Sequence, residues 1–231
     1  MHKAKRIAEN MVFLRDLNFL FMMAVFLVLS SAQEDYCGIC AHHTMCLYKN
    51  TQPICTEKSY DLTSEQKDEI VNIHNKDRQK VASGNEKQGN PGPQPPAKNM
   101  PNLDWDTELA LIAQTWANQC TFAHDECRAV RRFSVGQNVA MIATTAETAP
   151  GLEDLIKMWY DEVALFDFNQ VEYVTNFNGV GHYTQMLWAN TTIIGCGYVN
   201  YQEGDKNTVL LVCNYGPAGN YVGEKMYEIR S

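Results

Sequence analysis

Apolar and polar positions alternate along this chain with periods that separate helices from strands. Thr63-Ser64-Glu65-Gln66 has the form of a capping box, and Ile70, Ile73, His74, Asp77 and Val81 follow at helical spacing. A first helix is expected there, with His74 on the same face as Ile70. Asp106 is placed to cap a second helix, whose Leu109, Ile112, Ala113, Trp116 and Cys120 form one apolar stripe with Glu108 at its edge. After Pro150-Gly151, a third stripe of Leu152, Leu155, Ile156, Trp159, Val163 and Phe166 predicts a third helix. The run at 133–142, entered at Gly136-Gln137-Asn138, fits either a strand or a helix. Ile193-Ile194-Gly195-Cys196 and Val209-Leu210-Leu211-Val212-Cys213 read as two strands around a turn at Glu203-Gly204-Asp205. Helices in the middle and an antiparallel sheet at the end predict a sheet between helical layers.

Two stretches lack such periods. Five of the eight prolines fall between Gly84 and Pro101, which cannot continue a helix and predicts an extended surface loop. Residues 33–60 hold four cysteines and little periodicity, and are expected to be an irregular arm pinned by disulfides. Residues 19–29 are instead an unbroken apolar run, too short for a bilayer span of ~20 residues. Lys3, Lys5, Arg6 and Arg15 precede it and Ser30-Ser31-Ala32 follows it, so residues 1–32 read as a signal peptide cleaved after Ala32. Met11 is an alternative start that yields the same mature product.

The composition is that of one globular domain of 231 residues, 45% hydrophobic and 20% charged. Cleavage removes four basic and two acidic residues and takes the formal charge from −8 to −10. With basic residues scattered rather than clustered, nucleic acid is not an expected partner. The product is expected to be secreted, with no transmembrane anchor once the signal is removed.

Export changes how the eight cysteines are read. Cys37-x-x-Cys40 beside His42 and His43 has the outline of a zinc site, but an oxidising compartment favours disulfides. Sequence alone leaves most pairings open. Cys196 and Cys213 are the exception, since they can meet across the predicted hairpin, and closing that loop contributes about 3 kcal/mol. Asn190-Thr191-Thr192 is the only N-x-S/T triplet, which makes Asn190 a candidate glycosylation site.

No G-x-S-x-G, H-E-x-x-H, P-loop or dinucleotide fingerprint is present. His42, His43 and His124 lie in surroundings that read as exposed. His74 and His182 lie in the best-patterned segments, and spacing alone favours satisfied structural roles for both.

Four motifs change that picture: His74-Asn75-Lys76-Asp77-Arg78, Gly136-Gln137-Asn138-Val139, Gly181-His182-Tyr183-Thr184-Gln185-Met186-Leu187-Trp188 and Cys213-Asn214-Tyr215-Gly216-Pro217-Ala218-Gly219-Asn220. In order and spacing they resemble the CAP superfamily of cysteine-rich secretory proteins, antigen 5 and plant pathogenesis-related proteins. The loop at 89–100, Trp116-Ala117-Asn118-Gln119-Cys120 and the cysteine-rich arm are most similar to venom antigen 5 of stinging insects.

The resemblance implies an α+β fold: a CAP-type α-β-α sandwich with a three- or four-stranded, mainly antiparallel sheet between helices, stapled by disulfides. It divides the chain into a signal peptide at 1–32, an arm at 33–60 and a CAP domain at 61–231. It implies the pairs Cys37–Cys46, Cys40–Cys127, Cys55–Cys120 and Cys196–Cys213. It also implies a cleft in which His74 and His182 are candidate ligands for zinc or another divalent cation, lined by Glu108 and Gln137. It implies no required cofactor. Gln137 stands where many relatives carry an acid, and a neutral amide can neither accept a proton nor neutralise a cation. The expected function is that of a secreted, non-catalytic antigen 5-like protein and potential allergen. Its expected ligand is a sterol at a surface loop or a fatty acid between helices, its expected partners are host proteins or antibodies, and it is expected to be a monomer. The alternative is a metal-assisted hydrolase using His74, Glu108 and His182. Eighteen residues follow Cys213 without another cysteine, so the cysteine-rich module of the channel-modulating branch is not expected.

Overall fold

The computed structural model describes residues 34–55 and 57–230. The proposed signal peptide and the choice between Met1 and Met11 lie outside the described residues. From Tyr36 onward the chain forms one compact unit.

In chain order the elements are α1 (Thr44–Leu47), β1 (Glu57–Tyr60), α2 (Ser64–Ala82), β2 (Asp104–Trp105), α3 (Thr107–Ala117), β3 (Gly136–Thr144), α4 (Leu152–Tyr160), α5 (Gly181–Met186), β4 (Ile193–Glu203) and β5 (Lys206–Gly216). A 3₁₀ turn at Asp161–Leu165 continues α4, so Val163 and Phe166 leave the α-helical register expected for them. They remain buried, because the tighter turn still directs them inward. The arm is more regular than its sequence suggests. His43 caps α1 by accepting a hydrogen bond from the Met45 N–H, and β1 pairs antiparallel with β4.

The helix starts follow local chemistry. Thr63 and Gln66 exchange reciprocal hydrogen bonds as a capping box for α2, and the Asp106 carboxylate accepts the Leu109 N–H at the start of α3. The ambiguous run after Gly136 is a strand, fixed by continuous pairing with β5 from Gly136↔Tyr215 to Thr144↔Asn207.

Four strands run in the order β1-β4-β5-β3, all antiparallel, and the two-residue β2 pairs in parallel with the start of β4. Along β5, Val209, Leu211, Cys213 and Tyr215 join one core with Ile70, Leu155, Trp159 and Tyr183 from α2, α4 and α5. The alternate residues Leu210 and Val212 join a second core with Ala113 and Ala117 of α3. Both faces of the sheet are covered, which is why this strand reads as an unbroken apolar run. Two glycines let α3 lie almost on the backbone of β4. A Cβ at Gly195 would stand 2.2 Å from Ala110 N, and one at Gly197 would stand 2.3 Å from Gln114 Cα. Gln114 then hydrogen-bonds both the N–H and the carbonyl of Tyr198.

The disulfides join Cys37 to Cys46, Cys40 to Cys127, Cys55 to Cys120 and Cys196 to Cys213. The last links directly opposed residues of β4 and β5. Two others tie the arm to the loop between α3 and β3, the segment that carries His124.

Candidate functional site

His74 is fully buried on α2, where its Nδ1–H donates to the Ile70 carbonyl at 2.8 Å. That assigns the lone pair to Nε2, which accepts from the Tyr215 hydroxyl at 2.9 Å. Burial pushes its pKa down to about 4, with the nearby Arg78 charge acting in the same direction. Both nitrogens are thus engaged inside the protein, so in this arrangement His74 offers no free lone pair to a cation, unlike the candidate ligand that the resemblance implies. Arg78, one turn later, is also buried. It donates to the carbonyls of Pro101, Met186, Trp188 and Thr191, clamping the loop before β2 to the segment after α5.

Glu108 does not join His182 either. It sits on α3, on the other face of the sheet from α2, where it accepts from the Tyr36 hydroxyl and pairs with Arg132 at 2.7 Å. Charge neutralisation by Arg132, which also holds Asp106, keeps Glu108 at the helix start. His74, Glu108 and His182 therefore do not form one site.

The structure instead builds separate hydrogen-bonded groups around His182 and around His124. The His182 Nδ1–H donates to Glu162 Oε1 at 2.6 Å, and Glu162 Oε2 accepts the backbone N–H groups of His182 and Tyr183. Glu162 thus fixes the tautomer that leaves His182 Nε2 as the basic nitrogen. His124, in the loop held by the disulfides, donates Nδ1–H to Gln137 Oε1 at 2.8 Å. The amide of Gln137 is oriented by its other contacts, since Nε2 donates to Asp125 Oδ1 and Asn214 Oδ1, both at 3.1 Å. The next residue of β3, Asn138, donates to the His182 carbonyl and to the Tyr215 hydroxyl. Gln137 and Asn138 therefore anchor one histidine each from consecutive positions of one strand.

Sequence reasoning missed His124 and Glu162. Glu162 lies three residues after Trp159, where helical spacing places it on the same side as that indole. For His124 there was no periodic signal, because its position is set by disulfide connectivity. His43, expected to be exposed, is buried, with Nε2 donating to the Ala129 carbonyl.

His124 and His182 each keep a tautomer suited to ligating a cation. Yet Gln137 contributes an amide oxygen already taken by His124. Among the described residues no group of three or more His, Cys, Asp and Glu side chains is placed to hold a metal ion. The donor set does not fit a resident divalent cation.

The fold and the four disulfides place this chain among secreted, disulfide-stapled α-β-α proteins. The model of the cysteine-rich secretory protein family, CAP, matches residues 71–215, and the chain belongs to that family. Within it, the chain is 53% identical to venom allergen 5 of Dolichovespula arenaria, over 84% of this chain and 99% of that one. It is 51% identical to venom allergen 3 of Solenopsis invicta, over 82% and 85% of the two chains. Among solved structures it is similar to NaASP2 with Zn2+, at 33% identity and a TM-score of 0.63, covering 74% of this chain and 88% of that one. BmVAL-1 gives 34% identity and a TM-score of 0.63, with 74% and 85% covered. The protein is a secreted, venom allergen-like member of the family.

Proposed function

We propose that the protein acts by binding rather than by catalysis, as a secreted allergen that carries a fatty acid between α2 and α4. A groove of 330 Å³ runs there, walled by Ile73 and Tyr160 and bordered by Lys76, Lys80 and Lys157 together with Asp77, Glu153 and Asp161. Lys80 pairs with Glu86 and lies over the Tyr160 ring, and Lys157 pairs with Asp161. Lys76 makes no hydrogen bond or ion pair among the described residues. That ammonium, which acts on Asp77 only at a distance and holds no direct partner, carries the reading beside the apolar wall, because it offers a carboxylate head group a partner while the chain lies along Ile73.

Two observations support a non-catalytic role. Among the described residues, neither His124 nor His182 hydrogen-bonds a hydroxyl or thiol that it could activate as a nucleophile. The residues of the hydrolase alternative, His74, Glu108 and His182, have separate partners. The allergen names of the relatives support recognition by host antibodies.

The test is saturation binding of radiolabelled palmitate and of labelled cholesterol to the secreted, disulfide-bonded protein. Palmitate is expected to bind saturably, several-fold more weakly in Lys76→Glu, and not at all when Ile73→Trp fills the groove. Palmitate binding indifferent to both substitutions, or saturable binding of cholesterol alone, would overturn the proposal.

A further inference from the structure

A second groove, of 510 Å³, opens beside the turn between α5 and β4. Asn190 lies on its rim, Asn99 and Glu172 line it, and the segment 223–228 forms its wall. We propose that Asn190 carries an N-linked glycan whose first N-acetylglucosamine lies in this groove against Asn99 and Glu172.

The argument joins an acceptor to a seat. In the acceptor triplet, Asn190 and Thr192 are both exposed, and the Asn190 amide makes no hydrogen bond among the described residues. Secretion brings the chain past the transferase that recognises such triplets. Thr191 between them is fully buried. Its hydroxyl donates to the Pro217 carbonyl and accepts from Gln185 Nε2, and its own carbonyl takes the Arg78 guanidinium. The folded triplet cannot be drawn out into a transferase, so the sugar is added to the nascent chain before this region packs. In that step Asn190 Nδ2 forms a bond to C1 of the first sugar of a lipid-diphosphate oligosaccharide. The C1–O bond breaks, the lipid diphosphate leaves with the bonding pair, and one amide proton passes to the enzyme's base.

The seat follows from the fold. The Ala189 N–H donates to the Met226 carbonyl at 2.8 Å, which pins the turn to the wall segment. A sugar attached at Asn190 therefore emerges beside 223–228 rather than into open solvent. Two polar side chains of the groove have no partner within the protein: the Asn99 amide and the Glu172 carboxylate make no hydrogen bond or ion pair among the described residues. They offer both donors and acceptors to sugar hydroxyls and to the acetamido N–H.

The full chain secreted from insect cells tests both parts. Peptide mass spectrometry is expected to find a glycan on Asn190, and both Asn190→Gln and Thr192→Ala are expected to abolish it. All three proteins should be secreted with every cysteine oxidised, since both altered side chains are exposed. A bare Asn190 in the secreted wild type would overturn the modification. For the seat, release of the glycan by peptide N-glycosidase is expected to be several-fold slower from native than from unfolded protein. The double variant Asn99→Ala, Glu172→Ala should restore rapid release from the native form. Equal release from the native wild type and that double variant would overturn the seat.

Discussion

His74 and His182 both rest on the Trp159 indole, at centroid distances of 6.3 and 6.2 Å, yet the two rings live in opposite chemistry. His74 is sealed, and both of its nitrogens are committed within the protein. His182 is partly exposed, and only Nδ1 is held, by Glu162. The same contrast divides the rest of the motifs. Arg78 spends its donors on four backbone carbonyls, whereas His124 and Gln137 form a half-open set at the start of β3. A histidine's role in this fold is decided by what occupies its second nitrogen, and residues within one motif can serve either purpose.

Removing the interior clamp should break the contrast most severely. Arg78→Ala strands four carbonyls, three of them in buried contacts, and leaves a void, and is expected to cost about 3–5 kcal/mol. Arg78→Lys keeps the charge but not the planar fork, so it should recover only part of that loss. Urea unfolding with disulfides intact measures both, and a loss below about 1 kcal/mol in the alanine variant would show that the clamp is dispensable.

Protonation probes the same interior more gently. His74 has a folded pKa of about 4 against an ordinary 6.5, so the unfolded chain takes its proton first. Its contribution is fully present above pH 6.5 and is lost as pH falls through about 4, on the order of 3 kcal/mol in all. Asp77 opposes it. Burial raises its pKa from 3.8 to about 6, against the pull of Lys80 and Lys76, so its contribution is present below 3.8 and is lost as pH rises through about 6. Asp77→Asn removes the opposing contribution. Stability should then rise more steeply from pH 4 to 6.5 in Asp77→Asn than in wild type, and an unchanged slope would remove Asp77 from the account.

How far each region could be read beforehand follows from these contacts. Periodicity places Ile70, Leu109 and Leu155 on buried faces because burial depends on a residue's own helix. It also carries the hairpin, since Cys196 and Cys213 are close in sequence on two strands with one turn between them. Bare spacing favours a satisfied role for His74, which is its role in the structure. The cleft implied by the resemblance assigns it to the site instead, and leaves out Glu162, which holds His182, and His124, which donates to Gln137. Their placement depends on long-range ties that no local pattern encodes. The Cys40–Cys127 and Cys55–Cys120 bonds position the His124 loop, and a 3₁₀ turn after α4 delivers Glu162 to the N–H groups that open α5.

Gln137 offers the smallest and most discriminating test of the half-open side. Its nitrogen faces two acceptors, the Asp125 carboxylate and the Asn214 amide oxygen, while its oxygen faces the donor His124. Gln137→Glu keeps the shape and the contact to His124 but replaces that nitrogen with a second oxygen, directed at the carboxylate of the buried Asp125. Two hydrogen bonds are lost and two like charges meet, so the variant is expected to cost about 1–3 kcal/mol at neutral pH. Protonation of the introduced carboxyl restores a donor between them, so the loss should shrink in acid. Asp125→Asn placed on top of Gln137→Glu should recover stability at neutral pH for the same reason. If Gln137→Glu is instead neutral or stabilising at pH 7, the amide points the other way. His124 would then present a different nitrogen to the surface, and the likeness drawn between it and His182 would fail.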